Sequence, residues 1–174
     1  IAMTALIERI APHATRMVRQ DHARVLELFH RYRASASPRI KRGLVHSVGL
    51  ALEVHAQLEE ELLYPAVREV RTREFLRKAV PEHNELRRLI GQLRQMEATN
   101  PQYDATFMEL MRDVMHHMAD EETSFLPEAE RVLRGRLGEL GAHMVQRRMA
   151  LLAPRAPALA YHRARALPAR SLAL

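Results

Sequence analysis

The amino-acid sequence predicts an all-α fold, an up-and-down four-helix bundle with an additional C-terminal helix, and three observations carry that prediction. Apolar residues recur at helical spacing in one segment after another, and nowhere alternate as a half-buried strand requires. The apolar mass is Leu, Ala, Val and Met, all tolerated in helices, while aromatics make up only 5% and Trp is absent. Cap-and-breaker pairs divide the chain into long helices joined by short loops, and such helices must lie antiparallel beside their neighbours. At 174 residues the chain has the size of one domain.

From Ala14 to Tyr32, Met17, Val18, Val25, Leu28 and Phe29 recur at helical spacing until Ser35 to Pro38 breaks the run, defining the first long helix. Thr4 to Ile10 reads as a shorter helical stretch, divided from it by Pro12. Ser37 followed by Pro38 is an N-cap with proline at the first helical position. It opens a second helix to about Val70, which Pro65 is expected to bend. Thr72 caps a short helix ending before Pro81, and the third long helix is expected from Pro81 to about Glu97. Asn100 with Pro101 repeats the cap signal and opens a fourth, to about Arg134. After Gly135 and Gly138, the residues Leu140, Met144, Met149 and Leu151 support a fifth, amphipathic helix ending near Pro154. The bundle is thus expected over 1–154, and 155–174 reads as a flexible Ala/Arg/Pro tail. Met3 is read as the native start, with Ile1 and Ala2 ahead of it.

With no cysteine, disulfides, iron–sulfur clusters, thiolate zinc sites and thiol nucleophiles are excluded, and any metal must be held by nitrogen and oxygen. No apolar run approaches the ~20 residues of a membrane span, and no signal peptide is visible, so no membrane association and a cytoplasmic location are expected. The net charge of +6 comes from 27 basic residues, of which only Lys41 and Lys78 are lysines. The arginines scatter over every helix, so the charge reads as a solvated surface and nucleic acid is not the expected partner.

The informative feature is one pattern that occurs twice. His55, Glu59 and Pro65 appear in HAQLEEELLYP, and His117, Glu121 and Pro127 in HMADEETSFLP, with Glu four and Pro ten residues after His in both. An acid–histidine pair precedes each: Asp21-His22 ahead of His55, and Glu82-His83 ahead of His117. Residues four apart share a helix face, so each His-x-x-x-Glu presents an imidazole beside a carboxylate. With His22 and His83 the set becomes four imidazoles and two carboxylates, an inventory suited to a pair of first-row divalent metals that each carboxylate can bridge. Glu59 interrupts the stripe of Val48, Leu52, Leu58 and Leu62, and Glu121 that of Leu110, Val114 and Phe125. Burying a carboxylate unpaired is expensive, and a metal explains both intrusions.

His116 and Asp120 repeat the four-residue spacing, but their face carries Glu109, Arg112 and Asp113 and belongs in solvent, so His117 is preferred. Glu27 and His30 form the only Glu-x-x-His, where ferritin-like carboxylate proteins need two. His13, His46, His143 and His162 have no matched partner and read as surface or packing residues. Asp21 and Glu82 adjoin ligand histidines, but neighbours on a helix point about 100° apart, so they read as surface charges. Met17, Met111, Met115 and Met118 read chiefly as core packing.

At DH, HxxxEExLYP, EH and HxxxEExxLP, in that order over residues 15 to 130, the sequence resembles the hemerythrin-like family, also called the HHE cation-binding domain. The resemblance implies a four-helix bundle around an oxo- or hydroxo-bridged pair of Fe ions. It places His22 and His55 on one iron and His83 and His117 on the other, with Glu59 and Glu121 bridging. Manganese and zinc accept the same donors. The oxygen-carrying members have a fifth histidine where this chain has Arg87, and an aspartate five residues after the last histidine, where it has Glu122. Those departures argue against reversible oxygen storage: the missing ligand is expected either to leave an open coordination position or to be replaced by Glu60, Glu122 or Tyr64. The expected function is a redox-active di-iron protein that binds or reacts with dioxygen, peroxide or nitric oxide as a sensor or scavenger, with turnover left open. The alternatives are an iron-buffering protein without turnover, and a metal-independent interaction module using the fifth helix and arginine-rich tail.

Overall fold

The computed structural model describes Ile7, residues 10–67 and residues 73–153. Every regular element among them is helical. Helix α1 spans Ala14–His30 and α2 Pro38–Leu58, continued by a widened turn at Glu59–Leu63 and a last turn at Tyr64–Ala66. Helix α3 spans Arg73–Gln95, and α4 spans Tyr103–Asp120, continued by a second widened turn at Glu121–Phe125 and by Leu126–Leu133. A tight turn at Arg134–Arg136 leads into α5, Leu137–Leu152. Consecutive helices pack on one another from α1 to α4, and α5 lies against α1, α2 and the Glu59–Leu63 turn.

The local signals act through ordinary helix chemistry. Ser37 Oγ accepts from the Ile40 amide at 3.5 Å, with Pro38 in the first turn. The third helix departs from the expectation: Pro81 does not start it but lies inside it. Pro81 and Arg77, whose carbonyl loses its amide partner, are both exposed, so water satisfies the carbonyl and the helix runs on. The fourth helix begins at Tyr103 rather than at Asn100. Asn100 Oδ1 accepts from the Gln102 amide at 2.8 Å and its carbonyl from the Tyr103 amide at 3.0 Å, closing a separate turn first. Gly138 is helical, and the chain is loosened instead at Arg134–Arg136. The expected Thr72 cap, the end of the second helix at 68–70, most of Thr4 to Ile10, Pro154 and the 155–174 tail fall outside the described residues.

The core is split in two. One apolar cluster joins Val25 and Phe29 to Val48, Leu89, Phe107 and Val114. The other joins Met17 and Val18 to Leu58, Leu63, Phe125, Leu126 and Met144. In the first, Tyr32 stacks on Phe107 at 3.8 Å, and its hydroxyl and buried Lys41 converge on Asp104, tying α1, α2 and α4 together at that end. Between the clusters every long helix contributes a polar residue.

Candidate metal centre

On α1, His22 follows Val18 and precedes Val25; on α2, His55 lies between Leu52 and Leu58. On α3, His83 lies between Ala79 and Leu86, and on α4 His117 follows Val114. These four imidazoles are 1–4% exposed, and Glu59 and Glu121 are 0% exposed. All six converge. The Nε2 atoms of His83 and His117 are 3.0 Å apart, and His22 Nε2 is 3.1 Å from Glu121 Oε2. His55 Nε2 is 3.3 Å from Glu59 Oε2 and 3.9 Å from Glu121 Oε2. His83 Nε2 is 3.5 Å from Glu59 Oε2, and His117 Nε2 is 3.6 Å from Glu121 Oε2. One donor atom from each of His55, Glu59, His117 and Glu121 falls within 4.8 Å of the others. His116, by contrast, is exposed, as are Glu27, His30, His13 and His143.

The two prolines of the repeat shape the site. Pro65 and Pro127 have no amide hydrogen, and each ring would crowd the carbonyl four residues back in a regular α-helix. The chain relieves this by widening the turn just before: the Tyr64 amide donates to the Glu59 carbonyl, and the Leu126 amide to that of Glu121. Such π-type turns are frequent at functional sites, and both begin at the glutamates that enter the cluster. The first swings Tyr64 inward, where its hydroxyl is 3.1 Å from both Glu59 Oε2 and Glu121 Oε1. Of the three candidate extra ligands, Tyr64 is the one that faces the cluster. Its ring stacks near His83, and Phe75 and Phe125 close that side, edge-on to it.

Outside the imidazoles runs a ring of carboxylates that sequence reasoning missed. Glu122 Oε1 is 2.8 Å from His22 Nδ1, Asp21 Oδ2 is 3.6 Å from His55 Nδ1, Glu60 Oε1 is 2.8 Å from His83 Nδ1, and Glu82 Oε2 is 2.7 Å from His117 Nδ1. Asp21 and Glu82 are therefore not surface charges. Each serves the histidine of the next helix rather than its own neighbour, so the ring closes α1 to α2 to α3 to α4 and back to α1. A carboxylate on Nδ1 fixes the tautomer and turns Nε2 inward as a basic donor. Glu60 and Glu122 hold this outer position instead of joining the cluster. Arg87, where oxygen carriers have histidine, donates to Glu60 at 2.8 Å. The signal available in the sequence was an acid beside four of the six ligands: Asp21-His22, Glu59-Glu60, Glu82-His83 and Glu121-Glu122.

The residues fit a bound metal. His55 Nε2 and Glu59 Oε1 are buried at the centre with no hydrogen-bond partner among the described residues. Orphaned polar atoms in a dry core are costly unless a cation takes them. The donor set is nitrogen and oxygen throughout, which suits first-row divalent ions. Electrostatics point the same way. Burial, reinforced by the charge of Glu121, pushes the Glu59 carboxyl well above the usual range. Glu121 is equally buried, but a hydrogen bond from His22 and the charges of His117 and His55 outweigh burial and hold it low. Burial and the two glutamates push the Tyr64 phenol up, so it remains a donor.

These shifts set the pH response of the metal-free protein. Asp21, Glu60 and Glu121 are held low by their histidine and arginine partners against burial, so their stability is present above about pH 4.5 and lost as pH falls through the lowered values. Glu59 is held high, so its contribution is complete below about pH 4.5 and lost as pH rises. His22, raised by Glu121 and Glu122 in spite of burial, acts in the same sense above about pH 6.5, while His83, lowered by burial, opposes it. Urea unfolding of the metal-free protein is expected to show maximum stability near about pH 5. A midpoint that climbs steadily to neutral pH contradicts the pairing.

A cavity of ≈ 10 Å³ adjoins the centre, lined by Leu52, Leu86, Ile90, Val114 and Met118 together with Glu53 and Arg87, and bounded by His55, His83 and His117. That is about the room a single water-sized molecule requires. Among the described residues, no helix is long and apolar enough to cross a membrane.

The family model described as "Hemerythrin HHE cation binding domain" matches residues 13–129. A "DNA nickase" of Nostoc sp. is 29% identical over 108 residues, covering 62% of this chain and 31% of that protein. The chain thus spans about a third of the length of that curated relative. The crystal structure of a hemerythrin HHE cation binding domain-containing protein, the Rv2633c homolog from Mycobacterium kansasii, superposes with a TM-score of 0.70 at 20% identity, covering 82% of this chain and 89% of that one.

Proposed function

Because the chain belongs to the hemerythrin HHE cation-binding family, we propose that His22, His55, Glu59, His83, His117 and Glu121 hold two iron ions, and that the protein reacts with dioxygen, peroxide or nitric oxide as a sensor or scavenger. The observation that carries this reading is the inward convergence of four imidazole Nε2 atoms on two buried carboxylates, every Nδ1 being faced by an outer acid. The short His83–His117 separation and the 5.1 Å between the His22 and His55 rings support one ion beside each histidine pair. Bound there, iron supplies Lewis acidity and electrons to a small ligand.

The protein's own residues define what reaches the site. A cavity of ≈ 10 Å³ lies beside His55, His83 and His117, sized for a small ligand. The Tyr64 hydroxyl can give its single proton to one of Glu59 and Glu121 at a time, so it holds a proton at the two buried carboxylates. A second reading, iron buffering without turnover, has one observation in its favour: two fully buried glutamates whose repulsion a cation relieves, so that occupancy itself stabilises the bundle.

Metal analysis with ultraviolet–visible spectra before and after peroxide tests both. About two irons per chain, with an absorption band that changes on peroxide addition and is lost in a His55→Ala/His117→Ala variant, is the expected result. A stable iron load indifferent to peroxide, oxygen and nitric oxide favours buffering. No metal after reconstitution sinks both.

A further inference from the structure

Helix α5, residues 137–152, lies wholly beyond the segment matched by the family model. Its contacts nonetheless lead into the centre. Arg148 grips Asp21 with both terminal nitrogens, Nη1 to Oδ1 at 2.8 Å and Nη2 to Oδ2 at 2.5 Å, and Asp21 Oδ2 is the atom facing His55 Nδ1. One residue earlier, Arg147 holds Glu61 through two hydrogen bonds of 2.6 and 2.9 Å, on the widened turn that begins at Glu59.

The helix is also seated too closely for coincidence. A Cβ on Gly141 would lie 2.1 Å from the Pro12 carbonyl oxygen, so only glycine lets α5 approach the start of α1 this tightly. Buried Met144 then enters the apolar cluster at the same end. The arrangement at His55 differs from the rest of the ring. Its Nδ1 contact, at 3.6 Å, is longer than the 2.7 to 2.8 Å of the other three, and Asp21 is the outer acid gripped from α5. A planar guanidinium binding both carboxylate oxygens fixes the acid's position as well as its charge. His55 Nε2 is also the ring nitrogen left without a partner at the centre.

We propose that Arg148 is a positioning residue of the metal centre: through Asp21 it sets the orientation of His55, so that α5 governs how firmly the ion beside His22 and His55 is retained. This rests on the metal-binding reading above. In that reading the ion beside His83 and His117 is oriented by Glu60 and Glu82, whose hydrogen bonds go to His83, Arg87 and His117, while those of Arg148 go to Asp21. Loss of Arg148 therefore acts on one ion and spares the other.

The test is release of ferrous iron from the loaded full-length protein into a chromophoric ferrous chelator without oxygen, for wild type, Arg148→Met, Arg148→Lys, Asp21→Asn and the Arg148→Met/Asp21→Asn pair. Outer partners of ligand histidines change metal retention by about 10–100-fold, and one step further out the low end is expected. Arg148→Met should release one equivalent roughly tenfold faster and the second at the wild-type rate. Arg148→Lys should recover part of the loss, and the pair should be no faster than Asp21→Asn alone. Unchanged release in Arg148→Met, or equal acceleration of both equivalents tracking a fall in metal-free melting temperature, overturns the proposal. If Arg148→Met does not fold, Asp21→Asn with wild-type biphasic release overturns it from the α1 side. Wild type that takes up no iron at all defeats the metal-binding reading itself, a result separate from any of these.

Discussion

Replacing Glu59 by glutamine is expected to stabilise the metal-free protein at neutral pH while abolishing its capacity to load metal. Glu59 and Glu121 are completely buried and share one pocket with the Tyr64 hydroxyl. The imidazole charges and the His22 hydrogen bond compensate Glu121, whereas burial and the charge of Glu121 act against Glu59. Near neutral pH the metal-free fold must therefore either bury an uncompensated charge or bind a proton. Glutamine keeps the shape and removes that cost, which for an uncompensated buried polar group is about 1–3 kcal/mol. The same variant should flatten the fall in stability as pH rises above about 4.5, because Glu59, held high in the folded chain, contributes to that fall. Glu121→Gln should act in the opposite sense. It leaves the His22 side of the cluster without its counter-charge, and breaking a buried pair costs about 3–5 kcal/mol. Thermal melts of both metal-free variants decide the matter; equal destabilisation by the two substitutions would refute the asymmetry.

Iron loading is the second large effect. A ligand that binds only the folded chain stabilises it by about 4 kcal/mol at a thousandfold excess over its dissociation constant. For a domain of this size that is a rise in melting temperature of roughly 8–16 °C. The His55→Ala/His117→Ala variant should show none of this rise, since it loses a histidine from each proposed ion. Calorimetry with ferrous iron and then with chelator measures both. A rise that persists in the double variant would place the metal elsewhere on the molecule.

The candidate ligands were legible because their signal is local. Four-residue spacing puts His55 with Glu59, and His117 with Glu121, on one face whatever surrounds the helix. Glutamate on an otherwise apolar stripe marks that face as buried, and His116, on the neighbouring charged face, is exposed. Pro65 and Pro127 foretold a disturbance, but that it takes the form of a widened turn and carries Tyr64 inward depends on what the helix packs against. Pro81 misled for a related reason. A proline breaks a helix when the orphaned carbonyl has no other partner, and at Arg77 the solvent is that partner.

The outer carboxylates illustrate the limit. A side chain 100° around from an inward histidine points to water on an isolated helix, but in a four-helix bundle it points at the adjacent helix. Asp21 meets His55 and Glu82 meets His117 across chain separations that no spacing rule encodes. By itself, the sequence determined that the chain forms long helices, which faces are buried and the six inward residues, though not where the third and fourth helices begin, since periodicity and spacing act within a few turns of chain. Only the tertiary structure decided which acid orients which imidazole, that Tyr64 faces the cluster, and that α5 holds Asp21, because those pairings follow from the rotation and order of helices brought together by burial.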